Sequence, residues 1–232
     1  MKTVDNKINS YRYTQIFNHP RRFIEGWYWV IPSKKLRKGK VKAVSLLGRE
    51  LAIYRNIDGK IVCFDAYCPH MGAHLGEGKV EGGGLRCLFH NWKFDSQGNC
   101  VDVPCLGTTF PLKLKTWTVD EKYGMIWIWT GETPLQPLPF VPELENFESD
   151  SIISSEFIKN CHPNVVMINA IDAHHFNTVH NLPLEIVFRK QQLNENAILF
   201  NNITRGGQDS FLMRLIRPFY KKAVTYNMCY WY

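Results

Sequence analysis

"CPHMGAHLGEGKVEGGGLRCLFH", residues 68–90, is the stretch on which the reading of this chain turns. Cys68 and His70 open it, Cys87 and His90 close it, and 16 residues lie between His70 and Cys87. Four good metal ligands in so short a segment point to a metal centre and raise the question of which metal. Structural zinc motifs usually pair like with like, two cysteines and then two histidines. Here each half offers one thiolate and one imidazole. A [2Fe–2S] centre with two cysteines on one iron and two histidines on the other needs that arrangement. Neutral imidazoles in place of anionic thiolates let such a cluster accept an electron more readily. Gly76, Gly78, Gly82, Gly83 and Gly84 between the pairs allow close packing of loops.

The flanks of this segment are strand-like. "WYWVIP" from Trp27, "VKAVSLLG", "ELAIYRN" and "KIVCFDAY" precede it, and Asp58-Gly59 suits a hairpin turn. After it come "WKFDSQGNCVDVP", with a turn at Gly98-Asn99, then "LKTWTV" and "GMIWIWTG". Many short strands with Gly-rich turns predict a small antiparallel sandwich or barrel over residues 25–130, preceded by a polar lead segment, 1–24. "GETPLQPLPFVPELENF" carries four prolines and reads as an extended linker, 131–150. Beyond it, "NVVMINAIDAHHFNTVHNLP" has apolar residues at helical steps, with Pro183 as a stop. "AILFNNIT", "FLMRLIRP" and "AVTYNMCYWY" return to strand composition, so residues 151–232 form a second, mixed region. No internal repeat or low-complexity tract is visible. The apolar ending "YNMCYWY" reads as a strand cut short, and the expectation is a truncated chain.

At 232 residues the chain can bury a real core, and 45% apolar with 21% charged residues is ordinary for a globular protein. No apolar run spans a bilayer and the start lacks a signal-peptide core, which predicts a cytoplasmic protein with no indicated membrane association. Seven scattered cysteines fit a reducing compartment with metal-bound thiolates better than a disulfide framework. The net charge of +7 is concentrated in "SKKLRKGKVK", at Lys34, Lys35, Arg37, Lys38, Lys40 and Lys42. This is either a solvated turn or a landing patch for an acidic partner. Without stacking aromatics or a nucleic-acid motif beside it, a nucleic-acid partner is set aside.

"CPH…CLFHNWKF" resembles the Rieske domain of Rieske non-haem iron oxygenases, and the likeness runs through the strand-rich region. In that family Pro104 of "DVPCLG" looks like the proline of the third loop over the cluster. Many members have His-Gly-Trp where this chain has His90-Asn91-Trp92; Asn tolerates left-handed backbone well. Respiratory Rieske proteins carry a disulfide between their ligand loops. The corresponding positions here are Ala73 and Phe89, so an oxygenase-type cluster is the implication. The other five cysteines read as small buried residues, and His74 as a structural or exposed one.

A second ligand cluster, Asn169, Asp172, His174, His175 and His180, lies in "NAIDAHHFNTVH". Asp172 stands one helical turn before His175, and a distorted helix could aim His175 and His180 the same way. The alternative is a polar helix face. The segment resembles the Asp-x-x-His-x-x-x-x-His helix that opens the family's catalytic domain, with an Asn three residues earlier. By that resemblance His175 and His180 bind mononuclear Fe(II), leaving positions open for dioxygen. Asp172, with Asn169 close by, forms the electron bridge from His90 of a neighbouring subunit to His175, and His174 is a bystander. The family's third iron ligand, an Asp or Glu on a later helix, falls beyond residue 232. Glu185, Glu195 and Asp209 do not match it.

The resemblance thus implies an α+β chain: an all-β Rieske domain, then the start of a helix-grip, START-like catalytic domain. It implies an oxygenase component that draws NAD(P)H electrons through a reductase or ferredoxin, acts with O2 on an apolar organic substrate, and works as a homo-trimer. "CPHMGAHLGEGKV" and "GNCVDVP" are similar to the branch that includes sterol and steroid oxygenases. Two other classes stay open: a Rieske electron carrier or catalytically incomplete remnant holding only the cluster, and a zinc-binding interaction domain.

Overall fold

The computed structural model describes residues 25–148, 160–161, 163–181, 184–206 and 224–231, and divides the chain into two units: Phe23–Glu156, and another that includes Phe157–Tyr232. The first unit holds β1 (Trp27–Pro32), β2 (Lys40–Leu46), β3 (Arg49–Arg55), β4 (Ile61–Asp65), β5 (Lys79–Glu81), β6 (Gly84–Arg86), β7 (Lys93–Phe94), β8 (Cys100–Asp102), β9 (Thr116–Trp117), β10 (Val119–Lys122) and β11 (Met125–Trp129). They form three antiparallel sheets, in the orders β2-β3-β4-β9, β1-β11-β10 and β5-β6-β7-β8.

Two strands explain the layering. In β3 and β4 the runs Leu51–Tyr54 and Ile61–Phe64 are apolar and buried without alternation, which is the pattern of strands buried on both faces. Side chains alternate along a strand, so one set, Ala52, Tyr54, Val62 and Phe64, packs with Leu75, Leu85, Phe94, Val103 and Leu114 beneath the β5–β8 sheet. The other set, Leu51, Ile53, Ile61 and Cys63, packs with Trp117, Ile126 and Ile128 on the β1-β11-β10 side. Leu36, 1% exposed, plugs the second core from the turn before β2. The Tyr54 hydroxyl reaches across the first core to donate to the Gly83 carbonyl at 3.1 Å, which ties the ligand-bearing sheet to the central one.

The expected Asp58-Gly59 and Gly98-Asn99 turns are present, with Gly59 at φ 95° and Gly98 at φ 84°. Glycine is needed in the ligand segment for close approach. A Cβ on Gly84 would lie 2.4 Å from the Phe94 carbonyl oxygen, closer than any side chain is tolerated. Gly83, by contrast, faces nothing within 4 Å. The hairpin β5–β6 lies inside this segment, where the sequence predicts only loop. The proline-rich stretch carries no strand among the described residues, only a 3-10 turn at Pro142–Leu144.

The second unit has α1 (Pro163–Asn169), α2 (Ala173–Thr178), β12 (Leu184–Asn194), β13 (Ala197–Gly206) and β14 (Val224–Trp231). The strands form one antiparallel sheet in that order, with Leu184 opposite Gly206 and Ala197 opposite Trp231. "FLMRLIRP" lies outside the described residues. The Tyr230 hydroxyl donates to the Met167 carbonyl at 2.7 Å, joining β14 to α1. The single helix expected here is two helices, broken at Asp172. An aspartate before a run of helix formers takes the N-cap, and its carboxylate accepts from the His174 N–H at 2.9 Å.

Candidate metal centres

The first pair of ligands sits on two turns of identical backbone design. In one, the Cys68 N–H donates to the Ala73 carbonyl and the Gly72 N–H to the Cys68 carbonyl, both at 2.8 Å. In the other, the Cys87 N–H donates to the Trp92 carbonyl at 2.9 Å and the Asn91 N–H to the Cys87 carbonyl at 3.1 Å. The fifth residue of each turn is left-handed, Gly72 at φ 72° and Asn91 at φ 60°. This is why Asn serves at position 91: its short polar side chain carries little penalty there. A third copy begins at Val103, whose N–H donates to the Thr108 carbonyl at 2.9 Å, while Gly107, at φ 62°, donates to the Val103 carbonyl at 3.0 Å. Pro104 is the second residue of that copy, as Pro69 is of the first. The sequence hides this repeat because it resides in backbone hydrogen bonds, with only the fifth residue as a trace.

Within the turns the ligands sort by type. Cys68 and Cys87 are 3% and 2% exposed and their thiols lie within hydrogen-bonding reach of each other. Burial pushes the Cys68 thiol up to about 11; the His70 N–H opposes the rise and the Cys87 sulfur adds to it. His70 and His90 are exposed, with ring centroids 4.7 Å apart. With metal–nitrogen bonds of about 2.1 Å, two imidazoles sharing one ion have centroids roughly 4.5–5 Å apart. Thiols thus pair with thiols below and imidazoles with imidazoles above. That is the donor set of a cluster whose two irons each take two protein ligands, the sulfides supplying the rest. Among the described residues no three His, Cys, Asp or Glu side chains converge on one point.

The surroundings fix the turns. Trp92, 8% exposed, stacks on His70 with centroids 4.4 Å apart and planes within 10°. Arg86, the residue before Cys87, donates to the Asn91 carbonyl and to Asp102 at 2.8 Å, and pairs with Glu81. It thereby clamps the second turn to β5 and β8, a role that residue type and spacing do not announce. His74 accepts from the Gly76 N–H at 3.0 Å and lies edge-on to Tyr67, so it is structural. Of the remaining cysteines Cys63 and Cys100 are buried, whereas Cys105 and Cys161 are exposed and Cys229 is intermediate.

In the second unit the histidines also meet. His175 lies in α2 and His180 just beyond its end, their centroids 4.9 Å apart and their planes at 78°. That separation again suits two imidazoles on one ion. The left-handed residue Asn181, at φ 51°, turns the chain away after His180. Asp172 is exposed at the N-cap and Asn169 ends α1, half-buried. His174 is exposed. No carboxylate joins the two histidines as a third ligand among the described residues.

The chain is similar to known proteins in sequence and fold. Residues 26–118 match the family model of the Rieske [2Fe–2S] domain. Cholesterol 7-desaturase of Bombyx mori is 37% identical over 172 residues, which is 71% of this chain and 37% of that protein. The oxygenase component of 3-ketosteroid-9-alpha-monooxygenase of Rhodococcus rhodochrous is 32% identical over 169 residues, 70% of this chain and 45% of that one. The chain therefore spans less than half the length of these relatives. A crystal structure of dicamba monooxygenase bound to dicamba shares the fold, with a TM-score of 0.63 at 22% identity, over 92% of this chain and 64% of that one. Residues 26–118 thus carry a Rieske [2Fe–2S] domain, and the chain is similar, over about 70% of its length, to a cholesterol desaturase and to the oxygenase component of a ketosteroid monooxygenase.

Proposed function

We propose that this chain is the electron-accepting part, and the beginning of the catalytic part, of an oxygenase that oxidises an apolar substrate of steroid or sterol type. The observation that carries the reading is the presence of two histidine pairs, one beside buried thiols in a Rieske domain and one at the end of α2. An electron carrier needs only the first. Residues 25–130 would be the cluster domain and 131–150 the linker. Residues 151–232 would be the first part of a helix-grip domain, with 1–24 as a lead segment.

Cys68, Cys87, His70 and His90 would hold the cluster, which supplies one-electron storage. His175 and His180 would hold Fe(II), which supplies an open position for dioxygen. Burial of both thiols excludes water from one side of the cluster, while the exposed imidazoles leave the other side open to a partner. Asp172 already accepts the His174 N–H with one oxygen, and its second oxygen is the candidate link to His90 of a neighbouring subunit in a homo-trimer. Electrons would come from NAD(P)H through a reductase or ferredoxin. The seven cysteines are not bridged as disulfides, which suits a reducing, cytoplasmic setting. Among the described residues no helix is long and apolar enough to cross a membrane.

The test is His175→Ala in the full-length protein. We expect oxygenation of a 3-ketosteroid or sterol to be abolished while the cluster's visible spectrum persists; retained turnover would remove the iron assignment. Asp172→Asn should leave both metals bound and stop cluster oxidation in a single turnover.

A further inference from the structure

The two cluster histidines differ in what stands behind them. His90 touches Phe89, an exposed neighbour in its own turn, and His70, and among the described residues no buried ring stacks on it. His70 is backed by an aromatic column. Trp92 stacks on it at 4.4 Å, and Phe110 packs on Trp92 at 5.3 Å. Phe110 is 40% exposed and lines an open cleft of about 500 Å³ between β8 and residues 109–113. Val101, also exposed, lines the same cleft. A surface aromatic is thus joined to a cluster ligand through one buried ring.

The cleft has one carboxylate and one ammonium group on its lining, Asp95 and Lys113. The Asp95 carboxylate is held within its own turn, accepting from the Gln97 and Asn99 N–H groups and from the Asn99 side chain. Lys113 is exposed on the rim without a carboxylate partner among the described residues. Lys115 follows two residues later, over the Trp117 ring at 4.3 Å. Lys113 is the one cation among the residues that line the cleft, Asp95 is occupied within its own turn, and Val101, Phe110 and Leu112 supply the apolar surface.

We propose that an acidic [2Fe–2S] ferredoxin docks in the cleft at Phe110, Val101 and Lys113, and that its electron reaches the cluster through Phe110, Trp92 and His70. The inference rests on the cluster reading above. One electron leaves the reduced ferredoxin and one enters the oxidised cluster, with no atom transferred. Entry through His70 leaves His90 free for the exit toward the iron.

The experiment uses cluster-loaded protein and a reduced acidic plant-type [2Fe–2S] ferredoxin as probe, with Phe110→Glu, Lys113→Glu and Phe110→Leu as variants. Ferredoxin affinity is measured by calorimetry and cluster reduction by stopped-flow absorbance, with dithionite as the small-molecule control. Phe110→Glu and Lys113→Glu should each weaken ferredoxin binding tenfold or more. Phe110→Leu, which keeps the packing, should slow electron transfer within the complex with little loss of affinity. All three should retain the wild-type visible spectrum and dithionite reduction rate. Wild-type rates and affinities in both charge variants would overturn the docking site. A wild-type protein that dithionite reduces but ferredoxin does not would overturn the donor while the cluster reading stands. A protein that takes up no [2Fe–2S] cluster would overturn both.

Discussion

The two units make contrasting use of a histidine pair. In the first unit the histidines ride on turns whose backbone is cross-bonded twice each, rooted by buried cysteines and backed by a stacked tryptophan. In the second they come from a six-residue helix and the residue two beyond it, and α1 beside it exposes four successive apolar side chains, Val165 to Ile168, by 43–59%. Of the buried apolar residues described, only Ala197 and Leu199 belong to the second unit. The lesson concerns preorganisation. A site whose ligands are fixed by local turns over a closed core can be complete within one segment, whereas ligands on a short helix depend on more distant elements for geometry.

The largest expected effect separates the two sites outright. Cys87→Ser should remove the cluster's visible absorption entirely, whereas His180→Ala should leave it unchanged and lower only the remaining iron. Loss of the cluster in both would mean that the centres are not independent. Next comes the core. Phe64, fully buried, should cost about 3–5 kcal/mol when cut to Ala, read from urea denaturation of the first unit. Ile168→Ala, at 59% exposure, should change stability by less than about 0.5 kcal/mol. A comparable cost would show that α1 is covered in solution.

Smaller effects test the turns. Asn91→Gly should be tolerated, while Asn91→Val should cost roughly 1–2 kcal/mol, because a β-branched residue resists the left-handed conformation. Arg86→Gln should cost about 1 kcal/mol through the Asn91 carbonyl it leaves behind. Its dependence on pH has a definite sign. The Arg86 guanidinium holds the Glu81 carboxyl below its usual range. That contribution is present above the unfolded carboxyl value of about 4.3 and is lost as pH falls through the lowered folded value. Melting temperatures of wild type and Arg86→Gln should differ at pH 7 and draw together below about pH 4.

The same contrast explains what could be read from the sequence. Cys68, His70, Cys87 and His90 were legible because their chemistry is written in short-range spacing, and β3 and β4 because each carries an unbroken run of four apolar residues, Leu51–Tyr54 and Ile61–Phe64. The β5–β6 hairpin was not, since "KVEGGGLR" has three glycines where a strand signal would sit. The break at Asp172 was missed for a physical reason: helical periodicity continues across it, and only the capping bond to His174 distinguishes a stop from a turn of helix. Strand β12, "LEIVFRKQQLN", lacks the alternation that marks a half-buried strand. Arg86 is a charged residue whose three partners lie up to 16 positions away, so its role emerges only with the fold.

The most direct test of the central claim is iron and acid-labile sulfide per chain on anaerobically purified protein. Two sulfides with at least two irons per chain are predicted, and a third iron would fill the His175–His180 pair as well. Zinc bound without sulfide would contradict the account, because the thiol and imidazole pairs would then be serving a single ion.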